Sequence, residues 1–498
     1  MMSAHPKENR AAGWICFVLV AAAAAVLFVV PAFVTFLLSF QNYSPPHGLF
    51  ESPWVGLDNY RRVFESSAFP ILLRNSLVQS LLGGLVPLVP AFLAGWAAAQ
   101  VRSRGLCFGL AGLLLLPAFL PGISYCILLM GTLPVEVKTS AAWFPFLYLA
   151  AAGMKTFGFA AFLAAVSGRL AREHQRSAFS GALAGTGIMA AAGLMNLFSP
   201  DTSLVTELYN PLVYEGADNL GTYTFRTGFQ QAAFSSSSAA WMIRVLLQLL
   251  PAVLACILGR LLLKHYFALP ARSESRGNAN AGVFGWIFAL LAVAAAIAVC
   301  AGSFGTAGAE GPLFSAVAQS LLTAVLSAAA GVIMLAVSGC GMTAGFGGPA
   351  LVLTAVMFLL AQNTVGNFLI VRILGAVNTR LPVLAQNLLS PALPLALAFL
   401  CVQACGGRIR VPGQFVRTAF PYLLVFGGLL FARAWGDSYG EMIYLTDSGR
   451  WGISTLARQY NQSGQPGSIF AALTALVPLM IGVLCAALFS ALQRKPAE

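Results

Sequence analysis

Apolar residues are gathered into twelve long runs separated by shorter polar gaps. A helix needs about 20 mostly apolar residues to cross the hydrocarbon core of a bilayer. The pattern therefore predicts an all-α integral membrane protein with about twelve transmembrane helices. The predicted spans are residues 11–40, 74–100, 106–131, 142–167, 178–198, 239–263, 282–302, 313–338, 346–375, 382–402, 415–435 and 468–492. The ninth run is interrupted at Gln362 and Asn363, and the eleventh contains Pro421.

The clearest boundary in the chain is the polar stretch 264–281, KHYFALPARSESRGNANA, in which Pro270 and Gly277 break the pattern. Six predicted spans lie on either side of it. We therefore predict a first half at 1–263, a cytoplasmic linker at 264–281 and a second half at 282–498. An even number of spans gives both halves the same orientation, which is typical of a parallel repeat with a pathway between its halves.

The charges in the gaps predict the orientation of the chain. If the N-terminus is cytoplasmic, the gaps on that side hold sixteen basic and four acidic residues, and the outer gaps hold ten basic and twelve acidic ones. Lys and Arg accumulate in cytoplasmic loops. We expect a multi-pass protein of the cell (plasma or inner) membrane with both termini in the cytoplasm.

Composition argues against several classes of function. Hydrophobic residues make up 58% of the chain and charged residues 9%, whereas soluble domains carry about 25% charged residues. The lipid bilayer is therefore an obligatory partner. The net charge of +12 does not indicate nucleic-acid binding, because the basic residues form no clustered arm or stripe. No cysteine pair has metal-ligand spacing with a nearby histidine, so we expect no metal site, no catalytic residues and no enzymatic activity.

No segment matches the phosphate-binding pattern G-x-x-x-x-G-K-[ST], because no Gly is followed by Lys. The chain itself is expected to carry no cofactor. If ATP drives a transport cycle, ATP binds to a separate ATPase subunit.

Two charged residues lie five or more positions from either end of a predicted span, Lys155 and Arg244. A charge in a span costs several kcal/mol unless it is paired or hydrated. Lys155 lies mid-span, so we expect it to face a cavity or an acidic partner. Arg244 lies near the outer end of its span and has two interpretations, a place on the pathway or extension to the membrane interface.

The two long outer loops, 199–238 and 436–467, are rich in aromatic and acidic residues. Rigid aromatic faces suit sugar stacking or the docking of a partner protein. The alternative is an aromatic belt at the membrane interface.

Five parts of the chain share a family likeness: WVGLDNYRRVFESSAF (54–69) with LLRNSLVQSLL (72–82), MKTFGF (154–159) with LAAVSG (163–168), LYNPLVYEGADNLGTYTFRTGF (208–229), LGAVNTRLPVLAQNL (374–388) and ARAWGDSYGEMIYLTD (432–447). In this order they resemble permease subunits of binding-protein-dependent ABC importers of the carbohydrate type. Segment 208–229 is similar to the outer loop of a subgroup that imports oligosaccharides.

The resemblance implies two fused permease halves of the type I ABC importer fold, cytoplasmic ABC ATPase subunits and an extracytoplasmic solute-binding protein. Two groups of site residues are predicted with it. The pathway group is Lys155, Phe157, Arg244, Trp435 and Asp437, and the group facing the binding protein is Tyr209, Asn210, Tyr214 and Glu215.

The chain departs from this family where the ATPase should dock. The family carries a cytoplasmic loop with a Glu-Ala-Ala…Gly motif, which forms a short docking helix. Loop 168–177, GRLAREHQRS, lacks the motif, and VQACGGRIR (402–410) stands where the second motif should be. The candidate coupling residues are the arginines of these loops, Arg169, Arg172, Arg176, Arg408, Arg410 and Arg417. Their alternative role is to fix topology.

Three functions remain in competition. The first is an ATP-driven, binding-protein-dependent permease, which moves a carbohydrate or oligosaccharide across the membrane by alternating access between the halves. The second is a degenerate, non-transporting membrane scaffold or sensor, which the eroded loops favour. The third is an ion-coupled secondary transporter, although the spans lack the acidic residues that ion coupling usually uses.

The charge asymmetry gives a direct test of topology. Reporter fusions placed after Glu498 and within residues 264–281 are expected to read cytoplasmic. A periplasmic signal at either position would overturn the orientation.

Overall fold

The fold is described from a computed structural model that covers residues 8–268, 279–304, 313–344, 348–388, 390–407, 409, 412–463 and 468–493. These residues form helices and connecting turns, with no β-strand among them and one isolated bridge between Gln41 and Trp54. Residues 269–278 of the predicted linker lie outside the described part. The helix before them continues to Ala268, and the next helix begins at Ala279.

Among the described residues, ten helices are long and apolar enough to cross a membrane, and two bent helix pairs bring the number to twelve if each pair is one span. We number them as spans 1 to 12. They are Ala11–Ser39, Phe69–Ala99, Arg104–Phe119 with Gly122–Thr132, Phe144–Glu173, Ala178–Met195, Phe234–Phe267, Asn280–Gly302, Leu313–Ala344, Pro349–Leu360 with Thr364–Ile373, Leu381–Ala404, Gly413–Trp435 and Ile469–Leu492. The prediction of an all-α integral membrane fold with about twelve spans is confirmed.

Several spans extend beyond the apolar run that predicted them. Span 4 continues to Glu173 and span 8 to Ala344, although their runs end near 167 and 338. The backbone hydrogen bonds of a helix can continue past the end of its apolar run, because a polar turn can still bond to the preceding turn of the same helix.

Spans 3 and 9 are each bent sharply, by 72° and 81°. The bend in span 9 falls where Gln362 and Asn363 interrupt the apolar run, and Gln362 has a positive φ of 55°. Asn363 then caps the second piece by accepting a hydrogen bond from the backbone of Gly366, at 3.2 Å. The bend in span 3 lies at Leu120 and Pro121, where proline has no N–H to continue the helix. Each half therefore has its bend in its third span.

Arg244 satisfies the backbone at the bend of span 9. Its side chain is only 2% exposed, so it does not extend to the membrane interface. The guanidinium donates to the carbonyl oxygens of Leu359 and Ala361, at 3.1 and 2.8 Å, and to Ser199 Oγ at 2.7 Å. It also lies over the ring of Trp241 at 5.3 Å. Carbonyls at a helix C-terminus carry partial negative charge, so they compensate for the buried cation.

Each half packs its first span against the other half. Span 1 packs against span 8, and span 7 packs against spans 2 and 3. Small residues permit close approach at both crossings: a Cβ on Gly341 would lie 2.6 Å from the backbone nitrogen of Phe17, and one on Gly285 would lie 2.8 Å from Cα of Ala98. Small residues at such crossings let helix backbones pack tightly in a membrane.

The connections between spans differ on the two sides of the membrane. The turns between spans 2 and 3 and between spans 4 and 5 contain four residues each, 100–103 and 174–177. The connections on the opposite side carry most of the short helices, including Asp58–Phe64, Thr202–Leu208, Leu220–Phe225, Ser438–Tyr444 and Ile453–Gln462. The side with the long connections is the one that the loop charges predict to be outer.

Removal of Arg244 tests its role at the bend. We expect Arg244→Met to lower the free energy of unfolding by about 2–4 kcal/mol, because two buried carbonyl groups lose their donors. The control is Arg372→Met, which changes an exposed arginine at the end of span 9. Thermal unfolding in detergent measures both variants, and equal stability of the two would contradict the assignment.

Candidate functional site

Two short helices occupy corresponding places at the outer side. We name Thr202–Leu208 outer helix A and Ser438–Tyr444 outer helix B. Each has seven residues and follows the fifth span of its half. Each begins after an aspartate whose side chain caps it: Asp201 accepts from the backbone of Leu204 at 3.3 Å, and Asp437 accepts from that of Gly440 at 2.8 Å. Aspartate is among the preferred N-cap residues because it satisfies the free amides of the first turn.

Each outer helix begins against the bend of the opposite half. At the start of outer helix A, Thr202 donates to the side-chain oxygen of Gln362, 3.3 Å away, at the bend of span 9. Just before outer helix B, Gly436 lies so close to Pro121, at the bend of span 3, that any side chain on it would collide with the proline ring. The two outer helices therefore lie where the halves meet.

An ion pair joins the halves between these helices. Glu207 Oε1, on outer helix A, accepts from Ser438 Oγ at 2.5 Å and from Arg458 Nη1 at 2.9 Å. Arg458 also donates to the carbonyl oxygen of Thr206 at 3.3 Å. The side chains of Glu207 and Arg458 are only 3% and 6% exposed. Burial raises the pKa of Glu207, and the charge of Arg458 and the bond from Ser438 oppose that rise.

A second ion pair fixes outer helix B within its own half. Glu441 accepts from Arg380, from Thr455 Oγ1 at 2.5 Å and from the backbone of Gly452 at 2.7 Å. Arg380 also donates to Thr323 of span 8 at 2.9 Å. Burial raises the pKa of Glu441, and the charge of Arg380 opposes it. Outer helix B is thereby tied to spans 8 and 10.

Lys155 lies half-buried in span 4. Within the described part of the chain, no carboxylate lies within 4 Å of its ammonium group. Span 4 packs against outer helix A, and Met154, next to Lys155, packs against the apolar cluster that holds Leu204 and Leu208 of that helix. The span that carries Lys155 therefore contacts the helix that carries Glu207.

The other residues predicted for the pathway have local structural roles. Phe157 is partly buried against the main apolar core. Trp435 is buried, donates its indole N–H to the carbonyl oxygen of Leu473 in span 12 at 3.3 Å and stacks on Phe431. Asp437 caps outer helix B and also accepts from Gln386 and Asn387. Desolvation raises the pKa of Asp437, and the backbone bond from Gly440 opposes the rise.

The loop predicted to face a binding protein is folded around Arg226. Its guanidinium makes two bonds to Asp218, at 3.0 and 2.8 Å, and lies over Tyr214 at 5.3 Å. Burial raises the pKa of Tyr209 and of Tyr214.

The remaining members of this group hold the loop in place. Asn210 accepts from the backbone of Leu212 at 3.0 Å and donates to the carbonyl oxygen of Lys138 at 3.1 Å. The carbonyl oxygen of Glu215 accepts from Arg74 and Asn75, while its side chain is exposed. The exposed residues of segment 208–215 are Pro211, Leu212 and Glu215.

The arginines of the first loop predicted to be cytoplasmic bind helix ends of the chain itself. Arg169 donates to the carbonyl oxygens of Val101 and Arg102, at 3.1 Å each, and Arg172 donates to that of Ala99 at 2.7 Å. Arg176 donates to the carbonyl oxygen of Tyr266 at 3.0 Å and lies over its ring. Arg417 is exposed near the start of span 11, and Arg408 and Arg410 lie outside the described residues.

The two loops predicted to be cytoplasmic contact each other. His174 hydrogen-bonds to the carbonyl oxygen of Ala404 through Nε2, at 3.1 Å. A Cβ on Gly406, which has a φ of +69°, would lie 3.4 Å from the same imidazole ring. Four residues separate spans 4 and 5, so the first loop contains no helix of its own.

Glu207, Ser438 and Arg458 were not identified from the sequence as site residues. In the sequence, Glu207 is one of the twelve acidic residues of the predicted outer gaps, and Arg458 is one of the ten basic residues there. The available signal was the repeated aspartate followed by Thr or Ser, Asp201-Thr202 and Asp437-Ser438, after the fifth span of each half. Among the described residues, no group of three His, Cys, Asp or Glu side chains could hold a metal ion.

Comparison with solved structures gives partial likenesses to bacterial transporters. One is a bacterial alginate ABC transporter in complex with alginate pentasaccharide-bound periplasmic protein, at 20% identity over 41% of this chain and 83% of that chain, with a TM-score of 0.37. The other is a bacterial ABC transporter involved in the import of the acidic polysaccharide alginate, at 21% identity over 43% and 86%, also with a TM-score of 0.37. No family model and no curated protein matches the chain.

The buried pair within the second half allows a stability test. We expect Arg380→Gln to lower the free energy of unfolding by about 3–5 kcal/mol, because Glu441 would remain buried without its cation. The control is Arg61→Gln, which breaks an exposed pair with Glu65 and should cost less than about 1 kcal/mol. Equal shifts of the thermal midpoint in the two variants would contradict a structural role for the Arg380–Glu441 pair.

Proposed function

We propose that the chain is the membrane-spanning permease of a solute importer, in which solute passes between the two halves. The observation that carries the proposal is the arrangement at the outer side. Two matching helices, one from each half, meet there, and each begins against the bent third span of the opposite half. Such an arrangement allows a pathway along the boundary between the halves to be closed from outside.

Alternating access fits the distribution of irregular backbone. Non-helical backbone at membrane depth is tolerated where protein buries it or where it borders a polar pathway. Broken helices in transporters concentrate at the interface between repeats. Both bends of this chain lie at that interface, and the neighbouring Lys155 has no carboxylate partner within the described residues. A half-buried ammonium in a span is explained if it borders a hydrated pathway.

The finer assignment follows from the family resemblance of the sequence. We propose a carbohydrate, and more narrowly an oligosaccharide, as the solute, an extracytoplasmic solute-binding protein as its donor and cytoplasmic ABC ATPase subunits as the source of energy. The two permease halves would be residues 1–263 and 282–498. ATP would bind only to the ATPase subunits, and the exposed Leu212 and Glu215 would contact the binding protein.

A second function, a non-transporting scaffold or sensor, is favoured by the structure of the first loop predicted to be cytoplasmic. ATPase docking of the family type needs a helix in each coupling loop. Here the first loop is a four-residue turn that hydrogen-bonds to the end of span 10, and its arginines donate to backbone carbonyls of the same chain. An ATPase that binds this chain would therefore need a different docking surface.

Purification of the unaltered chain from its own cells in a mild detergent separates the two functions. We expect an ATPase to co-purify, and charge reversal at Arg408 and Arg410 to Glu should weaken that complex. An ATPase that never co-purifies, together with unchanged oligosaccharide uptake in cells lacking the chain, would favour the scaffold.

Lys155 provides the test of the pathway itself. We expect Lys155→Ala to leave insertion unchanged and to reduce uptake of a labelled oligosaccharide mixture about tenfold, which corresponds to about 1.4 kcal/mol of lost interaction. The matched control is Lys264→Ala, which removes an exposed lysine at the inner end of span 6. Uptake that is equal in the two variants would remove Lys155 from the pathway.

A further inference from the structure

We propose that Glu207, Ser438 and Arg458 form the outer gate of the pathway, a latch that must open before solute can reach Lys155. The inference rests on the proposed function, because a gate implies a pathway. It is carried by the geometry of the latch and by its contrast with the other ion pairs of the outer side.

The latch is the buried carboxylate contact that crosses between the halves. Glu207 is 251 residues from Arg458 and 231 from Ser438 along the chain. By contrast, Asp218 pairs with Arg226 within the first half, and Glu441 pairs with Arg380 within the second. Those two pairs can remain intact while the halves move apart. The Glu207 pair cannot.

The latch lies where the two outer helices meet, at the outer end of the proposed pathway. Glu207 lies in the last turn of outer helix A, and Ser438 is the first residue of outer helix B. Arg458 binds both the carboxylate of Glu207 and the carbonyl oxygen of Thr206, so it holds the end of outer helix A. A cation at a helix C-terminus is favoured by the partial negative charge there. Arg458 lies on the helix Ile453–Gln462 of the second half, so all of these bonds must break before the halves can separate here.

Two buried polar atoms of the latch lack hydrogen-bond partners, and this lowers the free-energy cost of opening it. Glu207 Oε2 and Arg458 Nε are buried and have no hydrogen-bond partner within the described residues. An unpaired buried polar atom is costly, and more so on a charged group. On opening, water or a solute hydroxyl group would satisfy both atoms. That gain offsets part of the cost of separating the ions, whereas the fully bonded carboxylate of Asp218 offers no comparable gain.

The native chain contains a reporter of opening. Cys126 is fully buried in the apolar cluster that also holds Leu204 and Leu208 of outer helix A. While the latch is closed, a membrane-impermeant maleimide added from outside should react with Cys126 very slowly. Labelling is followed at the Cys126 peptide by mass spectrometry, so the other cysteines do not interfere.

The experiment compares latch variants with a matched pair in right-side-out vesicles. We expect Glu207→Gln and Arg458→Gln each to raise the rate of Cys126 labelling about tenfold, which corresponds to about 1.4 kcal/mol of bias toward the open mouth. The exchanged pair, Glu207→Arg with Arg458→Glu, should return labelling toward the native rate. Arg226→Gln, which breaks the buried pair within the first half, should leave labelling unchanged.

The outcomes separate a gate from a structural ion pair. Faster labelling in the latch variants alone supports the gate. Faster labelling in Arg226→Gln as well would mean that the whole outer side has loosened, and this would overturn the gate. Labelling at the native rate in both latch variants would also overturn the gate. Loss of monodisperse elution in detergent identifies variants that fail to fold, and the more conservative Ser438→Ala then takes their place. Labelling needs no transport. Faster labelling in the latch variants, with no uptake by the unaltered chain, would therefore refute the importer while leaving the outer opening in place.

Discussion

The fold depends on the requirement that backbone groups exposed by a break in a transmembrane helix must find partners inside the protein. At the bend of span 9, Arg244 supplies them by donating to the carbonyl oxygens of Leu359 and Ala361 from span 6 of the other half. The carbonyls in turn compensate for a cation that is almost fully buried. Neither the bend nor the arginine would be stable without the other. Because the bend redirects span 9, it creates the place where outer helix A begins.

The contacts that join the halves differ in kind along the membrane normal. At the outer side they include an ion pair and side-chain hydrogen bonds, Glu207 with Arg458 and Thr202 with Gln362. In the middle they are apolar, as where Phe159 packs on Phe426. At the inner side they are again polar: Gln403 donates to the carbonyl oxygen of Ser167 at 2.8 Å, and Arg104 donates to the side-chain oxygen of Gln493 at 3.1 Å. Water can replace polar contacts more readily than apolar packing, so the two ends of the boundary are easier to hydrate than its middle.

The sequence predicted the spans well because a bilayer demands long apolar runs, and it signalled the bend of span 9 through Gln362 and Asn363. The bend of span 3 was missed, because the prolines at 117 and 121 lie inside an otherwise continuous apolar run. Lys155 stood out as a charge in a span. Glu207 and Arg458 could not be paired in advance, because residues in polar loops 251 positions apart share no local pattern. The capping aspartates were visible, but what their helices contact depends on tertiary packing.

The exchange of first spans between the halves has a consequence for synthesis. Span 1 enters the membrane first, yet span 8, against which it packs, begins only at Leu313. At about 5–20 residues per second, the intervening stretch takes roughly 15–60 s to translate. During that time the side of span 1 that will contact span 8, including Gly13 and Phe17, must face lipid or a membrane chaperone. Because spans 1 and 8 are on the same polypeptide, span 8 enters the membrane close to span 1, and the two spans find each other sooner than they would on separate chains.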